Sequence, residues 1–382
     1  VQTEQKARSA ADRNAALALD QLNKIIFDVQ EKLGATPETR AIRRSLLDTA
    51  IAGLDEIARN AEATPPDLSR AVAHQKLGEI YREVGRTAEA TTQLRRARGL
   101  AESLSKASPG DLAVKDCLAR SDVGLGELAM VVGDHAAAVA DFRRVVDREE
   151  AIAAADPRYP GARRGLIEAY IRLGRALGYR DEFAEAASWL RKARGLAERW
   201  VAEAPASNEA ASMLAWSYRK LADVEKLSGD HVAARRDYLK AIEIGRTRLK
   251  VGPGSVDAKA HLAMALNDLA GVMRGQGEFL GANRLFAEAA ELFAELARAD
   301  PESAETRFRL LHAQYDLARS YKDCGRFAEA EETFRQVLDH LGPLDRGEPA
   351  ARPVVHDFQR AELLEREIAE CHAAAEAAAK PD

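Results

Sequence analysis

Aromatic residues are scarce in this chain of 382 residues: they make up 5% of it, although 46% of the residues are hydrophobic. Burial therefore falls to alanine and leucine, whose small or unbranched side chains favour closely packed helices. Cysteine is nearly missing as well. Cys117, Cys324 and Cys371 lie far apart and form no CxxC pair, so they read as reduced thiols of a cytoplasmic compartment. There is no basic excess, since 56 lysines and arginines face 61 acidic residues for a net charge of -5. That balance argues against a general nucleic-acid binder, which must neutralise phosphates. No apolar run reaches the ~18 residues a membrane span needs, so no membrane insertion is expected in this stretch. The opening residues show no secretory signal pattern. HExxH, GxxxxGK[ST], HRD and DFG motifs are all missing, which removes the common metalloprotease, phosphate-loop and kinase signatures.

What the sequence has is a period. Gly85-Arg86-Thr87-Ala88-Glu89-Ala90 returns 48 residues later as Gly133-Asp134-His135-Ala136-Ala137-Ala138, and then at Asp181, Gly229, Gly277 and Gly325. Pro109, Pro157, Pro205, Pro253 and Pro301 keep the same spacing, and a proline there blocks continuation of the preceding helix. A leucine followed by a small residue recurs at Leu77-Gly78, Leu125-Gly126, Leu173-Gly174, Leu221-Ala222, Leu269-Ala270 and Leu317-Ala318. After each turn comes an alanine, from Ala90 to Ala330. Four residues later, one helical turn on, stand Leu94, Phe142, Leu190, Tyr238, Phe286 and Phe334.

Each unit thus predicts two helices of roughly 20 residues joined at the turn, each about 30 Å long. A single hairpin cannot bury its apolar face; stacked hairpins can. The expected fold is all-α, an α-solenoid of antiparallel helix hairpins. Its expected organisation is an N-terminal helical hairpin over 1–64, six repeats over 65–345, and a linker, capping helix and short tail over 346–382. The chain opens on Val1 in a stretch that already reads as mid-helix, which suggests an excerpt of something longer.

The leucine-small pair, a bulky residue four positions later (Tyr81, Leu177, Met273, Tyr321), the turn glycine, the alanine and the later aromatic resemble the tetratricopeptide repeat. The usual unit of that family has ~34 residues, so both helices would be lengthened here. The resemblance implies a right-handed superhelix that binds a protein or peptide segment in its concave groove. More weakly, the N-terminal "NAALALDQLNKIIFDVQEKL" and the repeat units look like the regions that follow a kinase domain in planctomycete-type bacterial signalling proteins. That would make the chain a regulatory, partner-binding extension of a serine/threonine kinase. A stand-alone enzyme is the remote alternative.

Candidate catalytic residues are not found, and no cofactor or metal is expected. Gly124-Leu125-Gly126 falls inside a predicted helix with no strand before it and reads as helix packing. His135 and His231 occupy equivalent turn positions without a second ligand at helical spacing. Cys371-His372 lies in a terminal helix expected to fray. In the resembling family the first helix of each pair lines the groove, at five and two residues before the repeat leucine and two and five after it. By that count the candidates are Arg175, Trp216, Arg219, Lys226, Asn267, Arg274, His312, Tyr315, Arg319 and Lys322. Their basic bias suggests an acidic partner segment, with Trp216 expected to be exposed beside Arg219.

Overall fold

The computed structural model describes residues 68–83, 85–159, 161–301, 303–341 and 361–379. The hairpin expected over 1–64 and the linker ahead of the last helix lie outside the described residues. Among the described residues there are thirteen α-helices and no strand. They are α1 (Leu68–Glu83), α2 (Thr87–Ala107), α3 (Leu112–Val131), α4 (His135–Ala155), α5 (Ala162–Gly178) and α6 (Phe183–Glu203). Then come α7 (Asn208–Leu227), α8 (His231–Val251), α9 (Val256–Gly275), α10 (Phe279–Ala299), α11 (Ala304–Asp323), α12 (Phe327–Leu341) and α13 (Ala361–Ala379).

The chain forms two compact units, Val1–Leu196 and Ala197–Asp382. In the first, α1 to α5 each pack on the next helix in sequence, and α1 also touches α3. In the second, the same holds from α7 to α13, with α7 touching α9 and α9 touching α11. Helices adjacent in sequence are thus adjacent in space, and first helices of successive pairs meet. The architecture is an all-α helical-repeat solenoid.

The turn within each pair follows from backbone geometry. Gly85, Gly133, Gly229, Gly277 and Gly325 all have φ between 76° and 86°, and Asp181, which holds the glycine position of the third repeat, has φ 61°. Each lets the chain close two backbone bonds onto the helix it leaves. The Gly133 N–H donates to the Met130 carbonyl at 3.2 Å and the Asp134 N–H to Ala129 at 2.9 Å. The pattern repeats through Asp230 to Glu225 at 2.9 Å and Arg326 to Tyr321 at 2.9 Å. These bonds satisfy carbonyls that a helix end would otherwise leave unpaired.

The proline turns are held by a device that keeps the same period. Ser207, Ser255 and Ser303 accept from the backbone N–H three residues on at 3.1 to 3.2 Å, and Asp111 accepts from Ala113 at 2.9 Å. These are N-caps, each two residues after its proline. The third repeat departs. Tyr159 stands where the cap would be, Gly161 at φ 82° precedes the helix, and α5 has 17 residues where α7 has 20.

The leucine-small pairs set how closely the helices approach. A Cβ on Gly78 would lie 2.5 Å from Leu94 Cγ, one on Gly126 2.6 Å from Phe142 Cε1, and one on Gly174 2.6 Å from Leu190 Cγ. Gly124 also packs on Leu94, at 2.6 Å from its Cδ1, so both glycines of the Gly-Leu-Gly string are packing positions. In the second unit Ala222, Ala270 and Ala318 are fully buried, as are the aromatics Tyr238, Phe286 and Phe334.

Candidate functional site

The sequence-predicted groove residues fall on the first helix of each pair. Arg175 belongs to α5 in the first unit; the other nine lie on α7, α9 and α11 of the second. Their positions relative to the repeat leucine place them on one face of each helix. What the structure adds is that most of the basic ones already have partners one repeat away.

In the first unit Arg175 Nη2 donates to Glu127 Oε2 at 2.5 Å, and Arg172 reaches the same carboxylate at 3.2 Å. In the second unit Arg219 Nη1 pairs with Asp268 at 3.0 Å. Asn267 donates to Asp316 at 3.4 Å. Arg274 pairs with Asp323 at 3.2 Å and Asp316 at 3.7 Å, and His312 Nδ1 lies 3.6 Å from Asp316. Lys322 donates to Glu367 and Glu370 of α13 at 2.6 and 2.7 Å. Packed helices lie 8–10 Å apart, a gap that one arginine or lysine side chain and one carboxylate can bridge. The basic face is therefore a ladder of inter-repeat ion pairs rather than a row of open cations.

Two expectations change with it. Trp216 is half-buried, not exposed. Arg219 is not an open cation, because its side chain is only 12% exposed. It belongs to a buried network in which Lys220 Nζ donates to Asp223 at 2.7 Å and the fully buried Tyr238 hydroxyl donates to the other Asp223 oxygen at 2.7 Å. Burial alone would raise the Asp223 carboxyl, but Lys220 and Arg219 hold it well below the usual carboxylate range.

Lys226 and Arg319 are different: neither makes an ion pair among the described residues. The Arg319 guanidinium, on an exposed side chain, sits 5.8 Å from the centroid of the Tyr315 ring, within cation–π range. Tyr315 in turn meets Phe334 edge-on at 5.7 Å, and Phe308 meets His312 edge-on at 5.3 Å. The open chemistry of the second unit is thus aromatic with few unpaired charges.

Ser212, His261 and Asp257 come together, but Ser212 Oγ and Asp257 Oδ1 both approach the same ring nitrogen, Nδ1 of His261, at 3.4 and 3.6 Å. A nucleophile-base-acid relay needs the two on opposite nitrogens. Asp257 is moreover claimed by Arg248 at 2.6 Å. The histidines of the turns diverge: His231 is exposed, while His135 stacks on Tyr179 at 5.1 Å. Their neighbours Asp134 and Asp230 do the capping, accepting from Ala137 and Ala233 at 3.0 Å. Cys371 is fully buried against α12 rather than frayed, and His372 lies 3.3 Å from Glu331. Burial pushes the Cys117 thiol up to about 12. Among the described residues no group of three His, Cys, Asp or Glu side chains converges on a metal position.

Paired helices of near-constant length, glycine-closed turns and small-to-large helix contacts define a helical-repeat protein. The family model of the tetratricopeptide repeat matches residues 311–339, the stretch holding Leu317-Ala318, the Gly325 turn, Ala330 and Phe334. That stretch is similar to a tetratricopeptide repeat, and the other units carry the same marks at a lengthened 48-residue period. No curated protein matches it. Among solved structures, the apo form of RapI is 12% identical, covers 94% of this chain and 85% of its own, and superposes with a TM-score of 0.55. A Rap protein complexed with Competence and Sporulation Factor is 14% identical, with coverage of 94% and 99% and a TM-score of 0.51. At such identities the likeness is one of fold. The resemblance to repeat regions beside kinase domains gains no support from it.

Proposed function

We propose that the chain is a non-catalytic interaction scaffold that holds a protein or peptide segment against the first-helix face of its second unit. One observation carries this reading. Trp216, His312 and Tyr315 share that face with Lys226 and Arg319, the two candidate cations that the ion-pair ladder leaves unpaired. Aromatic and arginine side chains are the types that dominate binding energy where they are desolvated. Separate acidic groups on the partner would meet Lys226 and Arg319, while Arg219, Arg274 and Lys322 serve the fold. The complex of a Rap protein with Competence and Sporulation Factor supports the use of such a fold as a holder of another molecule.

The test is selection of binding peptides from a random library on the intact chain, followed by affinity measurement on variants. Tyr315→Ala and the double variant Lys226→Glu/Arg319→Glu are expected to weaken the selected peptides at least about tenfold. Lys250→Glu, an exposed charge change on α8, should leave them unaltered. Equal affinity across all variants, with helicity preserved, would refute the reading.

A further inference from the structure

The first unit holds one carboxylate that the ladder does not use. Glu149, near the end of α4, is only 8% exposed, and among the described residues it makes neither a hydrogen bond nor an ion pair. The side chains around it are already engaged with one another. On α3, Arg120 Nε pairs with Asp116 at 2.9 Å. On α5, Glu168 takes Arg164 at 2.6 Å and Arg172 at 2.7 Å. Neither Glu149 oxygen is sealed from solvent, so a group from outside can reach the carboxylate.

The repeat shows how unusual this carboxylate is. Counting by 48 from Glu149 gives Ala101, Ala197, Gly245, Phe293 and Leu341, residues that need no polar partner. Facing it is Gly165, whose equivalents are Ser69, Cys117, Met213, His261 and Arg309. A Cβ on Gly165 would lie 2.5 Å from Glu149 Oε2, so the carboxylate occupies the space a side chain there would fill. Arg120 and Glu168, which flank it, both stand five residues before their repeat leucines, at the position counted as groove-lining. Leaving a desolvated carboxylate unpaired destabilises the folded chain. A bound cation would remove that cost.

We infer that this carboxylate receives the guanidinium or ammonium group of an arginine or lysine side chain on a partner segment, with Glu149 as its counter-ion. The site is separate from the face proposed above and needs none of its residues. Burial, reinforced by Asp116, pushes the Glu149 carboxyl up to about 7, with Glu168 adding to the rise and Arg120 and Arg172 opposing it. A cation favours the ionised form, so binding strengthens as that carboxyl loses its proton.

The experiment uses the full chain and three probe tripeptides, Ac-Gly-X-Gly-amide with X as arginine, lysine or citrulline, titrated at pH 6 and pH 8. The arginine and lysine probes should bind and the citrulline probe should not, since it keeps the shape of arginine without the charge. Binding should rise about tenfold from pH 6 to pH 8, the change in ionised fraction for a group at about 7. Glu149→Gln should lose both the binding and its pH dependence. Gly165→Ala, which keeps the carboxylate but fills the space beside it, should weaken the binding with helicity retained. Equal binding of arginine and citrulline probes, or unchanged affinity and pH profile in Glu149→Gln or Gly165→Ala, overturns the inference. None of these outcomes depends on Lys226, Tyr315 or Arg319, so failure here and failure of the second-unit reading are told apart.

Discussion

Replacing glycine by alanine should have opposite effects at two places in the first unit. Gly99 and Gly126 both lie within helices, where alanine is favoured over glycine by ~1 kcal/mol. At Gly99 a new Cβ meets nothing within 4 Å, so Gly99→Ala is expected to stabilise the chain by about that amount. At Gly126 the same Cβ would stand 2.6, 2.9 and 3.0 Å from three atoms of the fully buried Phe142 ring. A ring in a packed core cannot swing aside as a flexible side-chain end can, so α3 and α4 must separate. Overpacking of this kind costs about 1–3 kcal/mol. Because the propensity gain is common to both variants, their difference isolates the packing cost. Urea unfolding followed by helical circular dichroism measures it, and native-state hydrogen exchange of α3 and α4 amides guards against unfolding that is not two-state. If Gly126→Ala proves as stable as Gly99→Ala, the close approach at the leucine-small pairs is not what sets helix spacing.

The turns, caps, ladder and Glu149 yield further expectations. Gly229→Ala should destabilise by about 1–2 kcal/mol, because φ is +86° there and a Cβ disfavours that region. Asp181→Gly should be neutral or stabilising in the same unfolding assay. Ser255→Ala should cost about 1 kcal/mol through loss of the cap bond to Ala258 at 3.2 Å. Asp268→Ala should be more damaging, about 3–5 kcal/mol by thermal and urea unfolding, since it strands the buried Arg219 guanidinium. Glu149 makes stability depend on pH. Its folded carboxyl sits at about 7 against an ordinary 4.5, so the unfolded chain ionises first as pH rises. The fold is unpenalised below about 4.5, loses stability between there and 7, and stays lower above 7 by about 3 kcal/mol. Glu149→Gln should recover that amount at pH 8 and none at pH 4, read from urea midpoints.

The fold was legible because one period carried independent marks of different physical origin. A glycine that must adopt positive φ, a proline that stops a helix and a small residue where helices touch each recur after 48 residues, so each constrains the others. The same reasoning accommodated Asp181, since aspartate is among the few residues that tolerate the left-handed region. The caps at Ser207, Ser255 and Ser303 were equally available, each two residues after a proline, and went unread. Tyr159 in their place was the visible sign that α5 would begin late. Burial of Cys371 was not readable from its alanine-rich surroundings, which match those of a frayed end; only the packing of α13 on α12 distinguishes them.

The site was less legible because charge pattern was read within one helix while the pairing runs between helices. Arg219 stands two residues before its repeat leucine and Asp268 one residue before the next, an offset of 49. Asn267 to Asp316 and Arg274 to Asp323 repeat that offset. In a solenoid an equivalent position on the next unit is a spatial neighbour, so a cation at one residue and a carboxylate 48 or 49 later predict a pair. Applied along the first-helix positions, the rule pairs Arg219, Arg274 and Lys322 and leaves Lys226; Arg175 pairs in the other direction, with Glu127 48 residues earlier, and Glu367, 48 residues after Arg319, is taken by Lys322 instead. The consequence for experiment is direct. A charge reversal such as Arg219→Glu would set a third carboxylate beside Asp268 and Asp223, and any loss of binding would report a disturbed core. Arg319→Glu disturbs no ion pair, so its effect on a bound segment can be read as recognition.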